Sequence, residues 1–129
     1  ETVCRMKELG LRMAIATKPI FPKKAVLSRL KWAGLEPDDF EYITSYEICK
    51  YCKPDVNYYR ETAERMGLLS EECLMVGNDV VEDMAAEKAG MKVFLLTDYL
   101  ENGEGKDISR YASGSFDALV EYVASNLKL

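Results

Sequence analysis

The stretch Leu74-Met75-Val76-Gly77-Asn78-Asp79-Val80-Val81-Glu82-Asp83 decides how this chain is read. A short apolar run ends in a glycine. Polar and acidic residues follow at once, and a helical pattern starts within a few positions. In an open α/β sheet, ligands bind outside the carboxyl ends of the strands. Carboxylates placed there suit a hard cation such as Mg²⁺. Asp79 and Asp83 are four apart, so a helix that begins near Asp79 puts both on one face. The plainer alternative is that the two acids merely open a helix, where negative charge suits the dipole.

Working outward, the same grammar repeats. Thr2 to Leu9 reads as a helix closed by Gly10, and Leu11 to Ala16 as a strand ending at Thr17. Pro19 and Pro22 break the chain. Val26, Leu27, Leu30 and Ala33 then form a helical stripe closed by Gly34. Tyr42 to Ser45 is a second strand, and a loop carries Cys49 to Lys53. Pro54 opens a helix with Val56, Tyr59, Ala63 and Met66 on one face, ended by Gly67. Cys73 to Val76 is the third strand. Val81, Met84, Ala85 and Ala89 predict a helix stopped by Gly90, and Val93 to Leu96 is the fourth strand. A polar loop over 101–107 precedes a last helix marked by Phe116, Leu119, Val120, Val123 and Leu127. Strands alternating with helices are the signature of a parallel sheet covered on both faces. The expected fold is α/β, a three-layer Rossmann-like sheet in a single unit over 1–129.

Composition narrows the function classes. The 129 residues suffice for one domain with a core, and 48% hydrophobic content is that of a globular protein. A formal net charge of −5 without a broad basic patch argues against nucleic acid as the main partner. No apolar run approaches membrane-spanning length and no signal peptide is evident, so the expectation is a cytoplasmic protein. The four cysteines then read as reduced thiols. Cys49 and Cys52 form a CxxC, but the chain has no His to complete a zinc site.

Three polar groups fall on the edge where the strands of such a sheet end. Thr17 follows the first strand, Lys53 lies beyond the second, and Asn78, Asp79 and Asp83 follow the third. A hydroxyl, an ammonium and a carboxylate pair on one rim suit a phosphoryl group with Mg²⁺. Plainer alternatives are Thr17 as a turn cap and Lys53 as a solvated loop lysine.

The segments ATKPIFP (16–22), KPD (53–55) and VGNDVVED (76–83) resemble motifs two, three and four of the haloacid dehalogenase-like (HAD) hydrolase superfamily. The match is strongest to phosphatase-like members. The resemblance implies a Mg²⁺-dependent phosphohydrolase acting on a small phosphorylated substrate through an aspartyl-phosphate. Thr17 would hydrogen-bond the transferring phosphoryl group, and Lys53 would steady the nucleophile and the phosphoryl charge. Asp79 and Asp83 would position Mg²⁺, with Asn78 as a further ligand or positioning group. The fourth motif aligns in two ways, with Asn78 or Asp79 in the first metal position. Lys18 also stands where many relatives carry asparagine.

The family nucleophile lies in a DxD pattern after an upstream strand, and no strand followed by DxD occurs in this chain. The resemblance therefore implies the C-terminal part of the core domain, without the usual first, central strand and without the cap. The strands ending at Thr17 and Val76 would flank the missing strand. They either close up or receive a segment from elsewhere, such as a complementing N-terminal segment or a second copy in a homo-oligomer. Other readings are a non-catalytic α/β module that self-associates or binds a partner, a receiver-like signalling domain, and dehalogenase or phosphonate chemistry within the same superfamily.

Overall fold

The computed structural model describes residues 2–126. Strand β3 (Leu74–Gly77) lies parallel to β4 (Lys92–Leu96), with Met75 opposite Val93 and Val76 opposite Phe94. Successive side chains on a strand point to opposite faces. Met75, Val93 and Leu95 therefore share one face, where Tyr58, Tyr59 and Ala63 of α3 (Val56–Arg65) cover them. Leu74, Val76, Phe94 and Leu96 take the other face, against Met6 of α1 (Thr2–Glu8) and Leu119, Val120 and Val123 of α4 (Phe116–Asn126). Burial on both faces is why these strands are near-continuously apolar. The layers are those expected. Leu127, assigned above to the last helix, lies outside the described residues.

A fifth strand, β5 (Ala112–Gly114), pairs parallel on the outer edge of β4. The sequence reading contains four strands and omits this one. Ala-Ser-Gly has neither β-branched nor large apolar residues, and its pairing to β4 supplies what its side chains do not.

The first half of the chain forms a separate two-stranded sheet. Strand β1 (Ala14–Ile15) runs parallel to β2 (Tyr42–Ile43), flanked by hydrogen bonds from Glu41 N to Met13 O (2.8 Å) and from Thr44 N to Ile15 O (3.0 Å). Both strands are shorter than the apolar runs that suggested them. Helix α2 (Lys23–Trp32) follows Pro22, buries Val26 and Leu30, and is closed by Gly34 at φ +75°. Helix α3 is capped by the Asp55 carboxylate, which accepts from Asn57 N at 2.8 Å.

The segment after β3 corrects the sequence reading. An α-helix carrying Val81 to Ala89 was expected; turns run from Val80 to Asp83, and a 3-10 helix spans Met84–Ala89. The Asp79 carboxylate accepts from Val81 N and Glu82 N, both at 2.9 Å, which tightens the chain into a turn. Asp79 and Asp83 are thus brought together across a turn, not along one helix face.

Strands β1 and β3 do not pair, and no strand among the described residues lies between them. A cavity of about 650 Å³ opens there, lined by Ala14 and Ile15 on one side and by Leu74, Met75 and Val76 on the other. Among the described residues, no helix is long and apolar enough to cross a membrane.

Candidate active site

Thr17, just beyond the carboxyl end of β1, and Val76, near the carboxyl end of β3, both line this cavity. On the β3 side the chain passes through Gly77, where a Cβ would overlap the Asp83 carboxyl group. Glycine is what lets that carboxylate fold back against the strand end. Asp83 Oδ2 accepts from Asp79 N at 3.1 Å, and Asp83 Oδ1 accepts from Lys53 Nζ at 2.5 Å. Lys53 and Asp83 are 9% and 6% exposed, so this is a buried, directly hydrogen-bonded ion pair. Lys53 arrives from the loop after β2, through a cis Lys53–Pro54 peptide bond that leads to the cap of α3.

Asp79 spends Oδ1 on the two backbone amides of its turn, and its Oδ2 makes no hydrogen bond among the described residues. Asn78 donates through Nδ2 to Tyr99 O at 2.8 Å, and its side-chain oxygen Oδ1 makes no hydrogen bond among the described residues. The loop after β4 is tied down beside it by bonds between Glu101 N and Asn78 O (2.8 Å) and between Val80 N and Glu101 O (3.0 Å). No group of three or more His, Cys, Asp or Glu side chains gathers for a metal among the described residues. The donors at hand are two carboxylates and an amide oxygen. This all-oxygen set fits Mg²⁺, which binds through one or two carboxylates and completes its shell with water and substrate phosphate.

On the β1 side, Thr17 is half-buried and held by two residues that sequence reasoning missed. Thr17 N donates to Thr44 Oγ1 at 2.8 Å, and the two threonine hydroxyls lie 3.0 Å apart. Tyr58 Oη donates to Thr17 O at 2.6 Å. The Lys53 ammonium sits 5.9 Å from the centre of the Tyr58 ring. Tyr58 thus links Thr17 to Lys53, which do not bond directly. Its neighbour Tyr59 donates to the backbone oxygen of Glu82 on the β3 side. Burial holds both phenols well above their ordinary pKa, so they stay protonated donors. The one signal in the sequence was the Tyr58–Tyr59 pair itself, since a buried tyrosine needs a partner for its hydroxyl. Thr44, just past the end of β2, had no such signal.

Lys18 closes the rim. Its Nζ donates to Glu82 Oε1 at 2.9 Å, joining the loop after β1 to the turn after β3, and this bond raises the lysine pKa. Asn78 donates to Tyr99 O and makes no hydrogen bond to Lys53 or Asp83 among the described residues.

Known proteins carry the same arrangement of elements. An HAD phosphatase from Thermococcus onnurineus superposes on 95% of this chain and 54% of its own, with a TM-score of 0.73 and 24% identity. An L-2-haloacid dehalogenase does so with a TM-score of 0.79 at 18% identity, over 95% of this chain and 53% of its own. At such identities the likeness is one of fold. In sequence, glyceraldehyde 3-phosphate phosphatase of Methanocaldococcus jannaschii is 31% identical over 99% of this chain and 55% of its own length. Pyrophosphatase PpaX of Halalkalibacterium halodurans is 28% identical over 71% of this chain and 41% of its own length. The chain spans about half the length of the curated relatives it matches. The family model for haloacid dehalogenase-like hydrolases covers residues 1–90, from α1 to the end of the 3-10 helix that carries the Asp83 turn, and the chain belongs to that family.

Proposed function

We propose that this chain is the C-terminal part of the core domain of a cytoplasmic Mg²⁺-dependent phosphohydrolase that acts on a small phosphorylated substrate. The buried Lys53–Asp83 pair at the exit of β3 carries the reading. Burying two charges is costly, and this pair stands at the carboxyl end of a strand, where ligands of open α/β sheets bind.

In this reading Thr17 donates its hydroxyl proton to an oxygen of the transferring phosphoryl group. The Lys53 ammonium lies beside the same group and offsets its charge in a water-poor site. Asp79 and Asp83 hold Mg²⁺, with the Asn78 carbonyl oxygen as a further ligand. Bound there, the metal neutralises charge on the phosphoryl oxygens. The attacking aspartate belongs to a strand seated between β1 and β3. The cavity supports that placement, because it is lined by residues of β1 and β3 and reaches Thr17.

The test uses the natural gene product that carries this sequence, whatever its length. Mg²⁺-dependent release of inorganic phosphate from a panel of small phosphomonoesters is expected, with Asp83→Asn lowering kcat/KM about 100-fold or more. An unchanged rate for Asp83→Asn would remove the metal assignment. The same cavity favours a second reading, in which the gap takes a strand from another copy and the chain serves assembly. Concentration-dependent dimerisation without phosphatase activity would favour it.

A further inference from the structure

The grip on Thr17 involves more hydroxyls than a simple anchor needs. Thr44 is fully buried. Its Oγ1 lies 2.8 Å from Thr17 N, 3.0 Å from Thr17 Oγ1 and 3.1 Å from Thr17 O. Tyr58 Oη reaches the same carbonyl oxygen at 2.6 Å. A threonine hydroxyl has one proton and two lone pairs, so the bonds can be counted. The Thr17 N–H takes one lone pair of Thr44. If Thr44 gives its proton to Thr17 O, the 3.0 Å contact between hydroxyls requires Thr17 to donate into Thr44. Thr17 then has no proton left for a ligand. If Tyr58 alone serves Thr17 O, the Thr44 proton is free for Thr17 Oγ1. The Thr17 proton then points away from Thr44.

An anionic oxygen at the strand exits selects between the two states, since only the second offers it a donor. The Tyr58 bond to Thr17 O is the shorter of the two and comes from a phenol that burial keeps protonated. It makes the second state affordable by leaving no backbone carbonyl unsatisfied. We propose that Thr44 and Tyr58 are positioning residues that set the direction of the Thr17 hydroxyl proton, so that Thr17 donates to an anionic phosphoryl oxygen. This rests on the assignment of Thr17 to the phosphoryl group made above. It adds two residues that no sequence motif marks, one on β2's exit and one on α3.

Binding of inorganic phosphate to the natural gene product, measured by calorimetry beside the melting temperature, tests the relay. Thr17→Val is expected to weaken phosphate binding about tenfold, the scale of a charge-assisted hydrogen bond. Thr44→Val is expected to do nearly the same, and Thr44→Ser to stay within about twofold of the parent, because serine keeps the hydroxyl. In the Thr17→Val background, Thr44→Val should add nothing, since it acts through Thr17. A merely structural role would lower the melting temperature in both backgrounds and leave phosphate affinity alone. Parent-like affinity in Thr44→Val, or an equal loss in the Thr17→Val background, overturns the relay while leaving Thr17 in place. Parent-like affinity in Thr17→Val overturns the phosphoryl assignment itself and the relay with it. Should Thr44→Val fail to fold, Tyr58→Phe decides. About fivefold weaker binding is expected, and parent-like affinity overturns the proposal.

Discussion

The two half-sheets are made alike, from parallel strands with helices between them, and they are held in different ways. In β3–β4–β5 each face has its own cluster of buried side chains, Tyr58, Met75, Val93 and Leu95 on one and Phe94, Leu119, Val120 and Val123 on the other. No residue of β1 or β2 is fully buried, and each strand is two residues long. Beside the apolar contacts of Met6, Leu11, Met13 and Ala16, the first half is tied on through polar bonds. Arg12 Nη2 donates to Met66 O at 2.6 Å, Tyr58 to Thr17 O, and Lys53 crosses to Asp83. Helix α3 acts as a beam, since its adjacent tyrosines reach opposite sides of the gap. A sheet with a two-sided core is stabilised by area, whereas one flanking an open cavity depends on a few directed bonds.

The largest effect on that contrast should come from Lys53. Replacing it by methionine leaves the Asp83 carboxylate buried without its counter-charge. Loss of one partner in such a pair costs about 3–5 kcal/mol. Chemical denaturation of Lys53→Met should show a loss of that size, and Lys53→Met with Asp83→Leu should recover most of it. If the double variant is as unstable as the single one, packing around the pair, not charge, joins the halves.

The tyrosines give a smaller and more local test. Tyr58→Phe and Tyr59→Phe each remove one hydroxyl bond, worth about 1 kcal/mol. Amide exchange should separate them. Tyr58→Phe should release protection at Thr17 and in β1, and Tyr59→Phe in the turn around Glu82. Loss of protection in both halves from either variant would mean that α3 moves as a whole. The same phenols set an alkaline limit. Their folded pKa values lie above the ordinary 10.0, so the folded state keeps protons that the unfolded state releases. Their stabilising contribution is complete below about pH 10 and falls as pH rises beyond it. A denaturation midpoint followed from pH 8 to 11 should drop above 10, and less so in the double phenylalanine variant.

Much of this was legible in the residues. The run into Gly77 and the stripe closed by Gly67 state their elements through period and termini, and β3, β4 and α3 follow. The first-half strands were readable as positions but not as lengths, because Leu11 to Ala16 is apolar enough for a strand with partners on both edges and finds only β2. Strand β5 is specified by its pairing to β4, which Ala-Ser-Gly does not advertise. The Asp79 turn replaced an α-helix start because its side chain competes for backbone amides, a choice that residue spacing alone does not reveal. The order of Thr17, Lys53 and Asp83 along the chain pointed to one rim, and Lys53 and Asp83 do meet there. Thr44 was silent because a buried hydroxyl at a strand exit looks like packing until its partner is seen, and the Tyr58–Tyr59 pair signalled a buried phenol without naming its partner.

The smallest expected effect is the most direct check on the comparison. Lys18–Glu82 ties the loop after β1 to the turn that Lys53–Asp83 reaches from the loop after β2, at 2.9 Å, but its side chains are 44% and 30% exposed where those of the inner pair are 7% and 8%. In water the attraction is screened, and ordering two long side chains offsets most of what remains. Lys18→Met should therefore leave the denaturation midpoint where it was, at low salt and at high salt alike. Both pairs tie the β1–β2 half to the same turn after β3, so the two methionine variants compare an exposed strap with a buried one. If Lys18→Met destabilises the protein as Lys53→Met does, any strap across the gap would suffice. If only Lys53→Met does, the halves are joined at the point where water is excluded, which is where the proposed chemistry needs them fixed.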